Sequence, residues 1–330
     1  MKILFVFIAF ICFKSIIGFG QPEMYSQFYG SDLRLNPALT GMIHRDWQIC
    51  ELYQGNKNNN DLKTSTNCIY AELAYDIIKT KGRYGMVIKE KSNTMFGIGL
   101  MNEFRNSGNS DYNFMSNFFS IAIHRRIFNS SNISIGIQPG MVKTNSGNKF
   151  DMNFGVLYGF QKHDCWIGDQ VYKYQAGVSL YSYSQPFHST EDTLYIKPKH
   201  IQAHAGALIN IGKKFGIVPR AYYLYEGDHH YSGGATFVFR KHYSCIDRIR
   251  AGLHYLSSEH LVCSGGFRLY TRGKNSSSHD NRDAFAVDLC FSYDLKLDMI
   301  GLESGYKNGF EINIILYPIT KCWEMSKCAE

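Results

Sequence analysis

The feature that most constrains this chain is a repeat of two residues sustained over segments longer than ordinary strands. In Phe285, Val287, Leu289, Phe291 and Tyr293 one face is large and apolar, while the interleaved Ala286, Asp288, Cys290, Ser292 and Asp294 are small or polar. Successive side chains of an extended backbone point to opposite sides, so such a strand lies between two unlike environments. The same alternation sets Ile69, Ala71, Leu73, Tyr75 and Ile77 against Thr66, Cys68, Glu72 and Asp76, and Ile133, Ile135 and Ile137 against Ser134, Gly136 and Gln138. Phe310, Ile312, Ile314 and Leu316 alternate with Glu311 and Asn313, and Ile201, Ala203, Ala205, Ala207 and Ile209 with Gln202, His204 and Asn210. Helical periodicity is nearly absent.

Between turn signals these segments fall near 44–54, 65–77, 95–106, 112–126, 132–144, 151–162, 169–184, 200–210, 215–225, 232–241, 245–256, 261–272, 284–296 and 309–318. Most exceed the usual strand length of about 5 to 6 residues, whereas strands tilted by about 45° need roughly 9 to 11 to cross a bilayer. Only closure satisfies every backbone group in lipid, so the expected fold is all-β: a transmembrane antiparallel β-barrel of about 14 strands. Gly55 to Asp61, Asn106 to Asp111, Thr144 to Lys149 and Gly273 to Asp283 read as turns. With both chain ends in the periplasm, Gln185 to Lys199 faces outward, whereas Lys79 to Thr94 and Gly273 to Asp283 become unusually long periplasmic connections. Tyrosines near strand ends, such as Tyr222, Tyr223 and Tyr225, or Tyr172, Tyr174, Tyr181 and Tyr183, suit interfacial girdles and equally suit plain β-propensity. On this reading Leu289→Arg on the lipid face costs about 2 to 4 kcal/mol, and Asp288→Arg in the lumen much less.

The chain opens with Lys2, the apolar run Ile3 to Phe13, and small residues Gly18 and Gly20, the pattern of a signal peptide cleaved before Gln21. The apolar run is too short for a membrane helix, which needs roughly 20 residues. The expected organisation is a signal peptide (1–20), a turn-rich segment (21–43), an outer-membrane barrel (44–318) and a tail (319–330). A chain that is 45% hydrophobic and 15% aromatic is no disordered protein. Without Lys2 and Lys14 it keeps 33 basic against 28 acidic residues, dispersed rather than clustered, so nucleic acid is not an expected partner. Eight cysteines follow the signal; Cys68 and Cys290 read as small packing residues, and only Cys322 and Cys328 look like partners for a local disulfide.

No catalytic residues, cofactor-binding residues or metal site emerge. Gly97-Ile98-Gly99 lacks a third glycine and opens no helix, and Walker A, H-E-x-x-H, EF-hand and G-x-S-x-G patterns do not occur. Glu226, Asp228, His229 and His230 form the densest ligand-type set, but adjacent residues on an extended chain diverge, so a solvated loop accounts for them. The expectation is a protein that is not an enzyme and uses no cofactor.

The segment Gln21 to Gly41 alternates poorly and carries Gln27-Phe28-Tyr29, then Leu35-Asn36-Pro37-Ala38 and Gly41. This opening resembles the start of the PorP/SprF family of Bacteroidota outer-membrane proteins. The end agrees: Gly309-Phe310-Glu311-Ile312 looks like the strand that closes that family's barrel. The resemblance implies a non-enzymatic outer-membrane component of the type IX secretion system, serving protein secretion or gliding motility. Its implied partners are outer-membrane lipid, the periplasmic lipoproteins of the secretion ring, and the C-terminal domain of a secreted cargo or a surface adhesin. The Asn36-Pro37-Ala38 segment would be a docking or plug element, or equally a turn closing the periplasmic mouth. A porin-like channel for small solutes is the alternative, since alternate small polar residues would permit an open lumen.

Overall fold

In a computed structural model of the chain, the residues described are 32–43, 47–58, 63–83, 86–106, 113–128, 131–144, 147–160, 174–182, 199–211, 214–240, 246–257, 260–270, 285–296 and 306–318. They comprise a one-turn helix, α1 (Asp32–Leu35), a 3-10 turn (Pro37–Leu39) and fifteen strands. The first seven strands are β1 (Trp47–Asn58), β2 (Lys63–Arg83), β3 (Met86–Asn106), β4 (Asn113–Phe128), β5 (Ser131–Thr144), β6 (Gly147–Phe160) and β7 (Tyr174–Tyr181). After them come β8 (His200–Ala207), β9 (Ile209–Ile211), β10 (Phe215–Tyr225), β11 (His229–Arg240), β12 (Ile246–Leu256), β13 (His260–Tyr270), β14 (Phe285–Lys296) and β15 (Tyr306–Pro318).

Consecutive strands pair antiparallel, apart from β8 with β9, and β15 pairs with β1 from Ile49↔Leu316 to Asn56↔Gly309, so the sheet closes on itself. Because β8 and β9 both pair with β10 and are separated only by Leu208, they form one stave, and the barrel has fourteen staves.

The alternation read from the sequence sorts inside from outside. Ile69, Leu73, Ile98, Leu100, Ile133, Ile135, Ile137, Phe237, Ile249, Leu253, Phe291, Phe310 and Ile314 lie exposed on the outer surface, while Cys68, Glu72, Ser134, Gln138, Asp288, Glu311 and Asn313 are buried inside. So wide an apolar exterior around a polar interior is the inverse of a soluble sandwich and suits a lipid surround. Among the described residues Cys50, Cys68 and Cys290 are buried, and Cys263 is exposed. Cys322 and Cys328 lie outside the described residues.

Three expectations need correction. Lys79 to Thr94 is not a loop: β2 and β3 remain paired to Arg83↔Met86, with a register shift between Asp76 and Ile78. The pairings with β1 and β4 reach only Leu73 and Thr94, so a two-stranded ribbon stands beyond the wall by six residue pairs, or about 20 Å. It points to the side where β15 ends and β1 begins. Second, Tyr181 and Tyr222 are not girdle residues but are buried in the lumen, because the period-two phase of β7 and β10 turns them inward, whereas Tyr174 is exposed. Third, Asp288 is no freely replaceable lumen residue: it accepts two bonds from Arg268 (2.5 and 2.6 Å) and one from the Tyr317 hydroxyl (3.0 Å), and Arg250 lies 2.9 Å away.

Candidate functional site: a plug seated in the lumen

Residues 32–43 enter the barrel. Leu33, Asn36, Ala38 and Thr40 are wholly buried, and Leu35, Pro37, Leu39 and Met42 nearly so. The local fold follows from the sequence: the Asn36 side chain caps the 3-10 turn by accepting from the Ala38 N–H (2.8 Å), and Pro37 occupies a first-turn position where no N–H is needed. The Thr40 N–H and hydroxyl both donate to the Pro37 carbonyl (3.2 and 2.8 Å). Gly41 follows at φ +71°, and a Cβ there would lie 2.4 Å from Gly97 Cα. A side chain at this position is excluded by backbone conformation and by space alike.

The wall is shaped to receive this turn. Register places Gly97 opposite Ala122, Ala122 opposite Gly136, Gly136 opposite Gly155, and Gly155 opposite Ser179. This row of small inward residues crosses five strands, a width of about 19 Å. Its shape is needed: a Cβ on Gly97 would come within 1.9 Å of the Thr40 carbonyl oxygen, one on Gly136 within 2.2 Å of that of Pro37, and one on Gly155 within 1.9 Å of Asn36 Oδ1.

Polar groups on the wall satisfy the plug backbone. Asn36 Nδ2 donates to the carbonyls of Val156 (3.1 Å) and Val178 (3.3 Å) and lies 3.3 Å from His204 Nε2. His124 Nε2 donates to the Thr40 carbonyl (2.8 Å), with its Nδ1 2.8 Å from the Ser134 hydroxyl. Glu72 accepts the Gly41 N–H (2.6 Å) and a bond from Gln48. Ser179 and Tyr181 donate to the carbonyls of Leu35 and Leu33, and Arg34 pairs with Glu103 at 2.8 Å. Such bonds compensate groups that would be costly to bury unpaired. Apolar contacts complete the seat: Leu33 packs with Cys50, Leu52, Tyr70 and Phe118 on one side, and Leu35, Leu39 and Met42 with Leu157, Tyr222 and Leu224 on the other.

On the side of the plug away from the chain ends lies a small pocket in the lumen. Arg34 lies at its base, and its wall includes Glu103, Phe114, Ser116, Phe118, Asp151 and Tyr181.

The motif residues therefore fall in two places. Asn36, Pro37, Ala38 and Gly41 are brought together in the plug, while Gly309, Phe310, Glu311 and Ile312 lie on β15, paired with β14 and, through Asn56 to Tyr53, with β1. Gln27, Phe28 and Tyr29 lie outside the described residues. The wall residues His124, Glu72 and the glycine row were missed from sequence. Their signal was the glycines at inward positions of neighbouring strands, which gains meaning only once register is known.

The fold is that of an outer-membrane β-barrel. The chain is similar to a Pseudomonas aeruginosa FadL homologue at a TM-score of 0.52 and 7% identity, covering 86% of this chain and 92% of that one. It is also similar to the CymD monoaromatic hydrocarbon channel (TM-score 0.47, 9% identity, 92% and 95% covered) and to Omp33 of Acinetobacter baumannii (TM-score 0.40, 9% identity, 83% and 98% covered). No protein-family model matches the sequence, and no curated protein matches it.

Proposed function

We propose that this protein is a non-enzymatic outer-membrane component of the type IX secretion system that holds a secreted cargo or surface adhesin at the cell surface. The observation that carries the reading is where the motif goes: the Leu35-Asn36-Pro37-Ala38 and Gly41 pattern, which resembles the opening of the PorP/SprF family, builds the luminal plug. A barrel whose lumen is filled by its own buried N-terminal segment is suited to binding proteins through its two mouths rather than to passive solute flow. The apolar exterior supports insertion in the outer membrane. The β2–β3 ribbon supports a contact on the other side of that membrane. It stands on the side of the chain ends, and its sequence, with Lys79, Lys81, Arg83, Lys89 and Lys91 against Glu90, is net basic, which suits a contact with a periplasmic lipoprotein.

The test is a detergent pull-down of the tagged full chain from its native outer membrane, with mass spectrometry after a salt wash. The reading expects secretion-ring lipoproteins or a large surface protein in wild type, with the ring components depleted when the five ribbon cations are replaced by Gln. A solitary barrel recovered under the same conditions overturns it.

A further inference from the structure

We propose that the outer face of β1 to β4 is the surface on which two copies of this protein pair side by side in the membrane. The inference rests on the lipid-facing exterior of the barrel and is independent of the secretion reading.

Away from the rims, β5 to β15 turn only apolar, aromatic or small side chains outward among the described residues, but β1 to β4 do not. Glu51 on β1, Asn67 on β2, Asn102 on β3 and Asn117 on β4 all face outward; Glu51 and Asn117 are exposed, and Asn67 and Asn102 half-buried. Register sets three of them in one row, Glu51↔Ile69↔Asn102↔Asn117, with Asn67 two residues from Ile69 on the same face. The row runs on into Ile314 and Leu289 to one side and Met141 and Phe150 to the other. Nor does it mark the edge of the apolar belt. Ile49 and Tyr53 flank Glu51 along β1, Leu100 and Phe104 flank Asn102, Met115 and Phe119 flank Asn117, and all six are exposed.

Polar groups held in a hydrocarbon surround are costly unless they find partners. Within one copy the need is met in part: Asn67 Nδ2 donates to Glu51 Oε1 (3.2 Å), and Asn102 Nδ2 to Asn117 Oδ1 (2.7 Å). A carboxamide carries two donor hydrogens and an acceptor oxygen. Neither bond uses the Asn67 or Asn102 oxygen, and each leaves a second hydrogen on its donor. The face therefore keeps donors and acceptors together, directed at a surround of acyl chains that offers neither.

Complementarity selects a second copy as the occupant. Perpendicular rows climb round this wall: the one that begins with Trp47 at the chain-end rim of β1 arrives at Tyr225 at the far rim of β10. Each strand onward thus raises the row by about one residue step, roughly 3 Å. Asn67, two steps above Ile69 on β2, and Asn102 on β3 then stand within about 3 Å of one height. A two-fold axis along the membrane normal between β2 and β3 sets Asn67 of one copy against Asn102 of the other, and symmetry forms the reverse contact. Each amide can both donate to and accept from the one opposite. The two Glu51 carboxyls lie three strand spacings apart, about 14 Å, and so do not oppose each other. A cationic partner is less suited, because the face holds a single carboxyl and Asn67 already engages it.

The experiment uses two differently tagged full-length copies in the native outer membrane, with a photo-reactive benzophenone residue in place of Leu100, beside the row, or of Leu253 on β12. Irradiation is expected to give an adduct of twice the mass carrying both tags from position 100 and none from position 253. In lipid vesicles, energy transfer between donor- and acceptor-labelled copies is expected to report association. Asn67→Leu together with Asn102→Leu should weaken it about tenfold, the worth of two hydrogen bonds in a membrane, while heat-modifiable migration shows the barrel still folded. Three results overturn the proposal: no doubly tagged adduct from position 100, an adduct there with a protein of another sequence in place of a second copy, or association in vesicles that is absent or indifferent to the paired substitution.

Discussion

Gly136 lies beneath the plug's 3-10 turn, and replacing it with alanine isolates the plug from the barrel. A Cβ there would come 2.2 Å from the Pro37 oxygen, 2.3 Å from the Pro37 carbon and 2.5 Å from the Ala38 nitrogen. All three are backbone atoms, so no side chain can rotate away. Gly136 itself is held in a ladder with Ala122 on β4 and Gly155 on β6, so the turn must retreat by about 1 Å to reach ordinary contact. Overpacking of this kind costs about 1 to 3 kcal/mol, which raises the unseated population of the plug roughly 5- to 150-fold. Arg34 reports on that population, because trypsin can cleave after it only when the segment leaves the lumen; in the seated state its guanidinium is buried against Glu103. With opening fast relative to cleavage, the tryptic rate at Arg34 follows the open fraction and should rise by the same factor. Gly233→Ala is the control: the nearest atom to its Cβ is the Arg220 oxygen at 4.0 Å, and its cleavage rate should match wild type. Cleavage of Gly136→Ala at the wild-type rate refutes the claim that the row of small residues is the plug's seat.

Other substitutions probe separate parts of the account. Asn36→Ala removes the cap on Ala38 and the bonds to Val156 and Val178, and should cost the seated state about 2 to 4 kcal/mol, read by the same cleavage assay. Asp288→Ala leaves the buried Arg268 without the carboxylate it grips at two points, and should lower stability in urea unfolding by about 3 to 5 kcal/mol; a loss below about 1 kcal/mol would contradict that. Leu289→Arg, midway along β14 on the outer face, should reduce folding into lipid vesicles by about 2 to 4 kcal/mol while changing little about the plug, and equal folding yields would contradict the facing of that strand.

The barrel was legible because its signal is local. Each strand declares its two faces every second residue, and fourteen segments map onto fourteen staves with end points that differ by a few residues at most sites. The β2–β3 ribbon escaped because Ile77-Ile78 breaks the alternation at the same place where the register shifts, so the continuing strand reads as a loop. Tyr181 and Tyr222 turn inward because the phase of β7 and β10, not the clustering of aromatics, sets their side. The plug was half visible: Asn36-Pro37 and Gly41 announce a turn, but nothing local says that it folds into the lumen. That information is carried by Gly97, Gly136 and Gly155, which are distant in sequence and become one surface only through strand register. The energetic weight of Asp288 was hidden for the same reason, since its partners Arg250, Arg268 and Tyr317 come from three other strands.

The most direct test of the central claim is single-channel conductance of the full-length protein in a planar bilayer, beside a variant lacking residues 32–42 whose folding is verified by heat-modifiable migration on gels. A lumen sealed by its N-terminal segment predicts a silent wild type and a variant with sustained, ohmic openings. Equal conductance from the two proteins would contradict it.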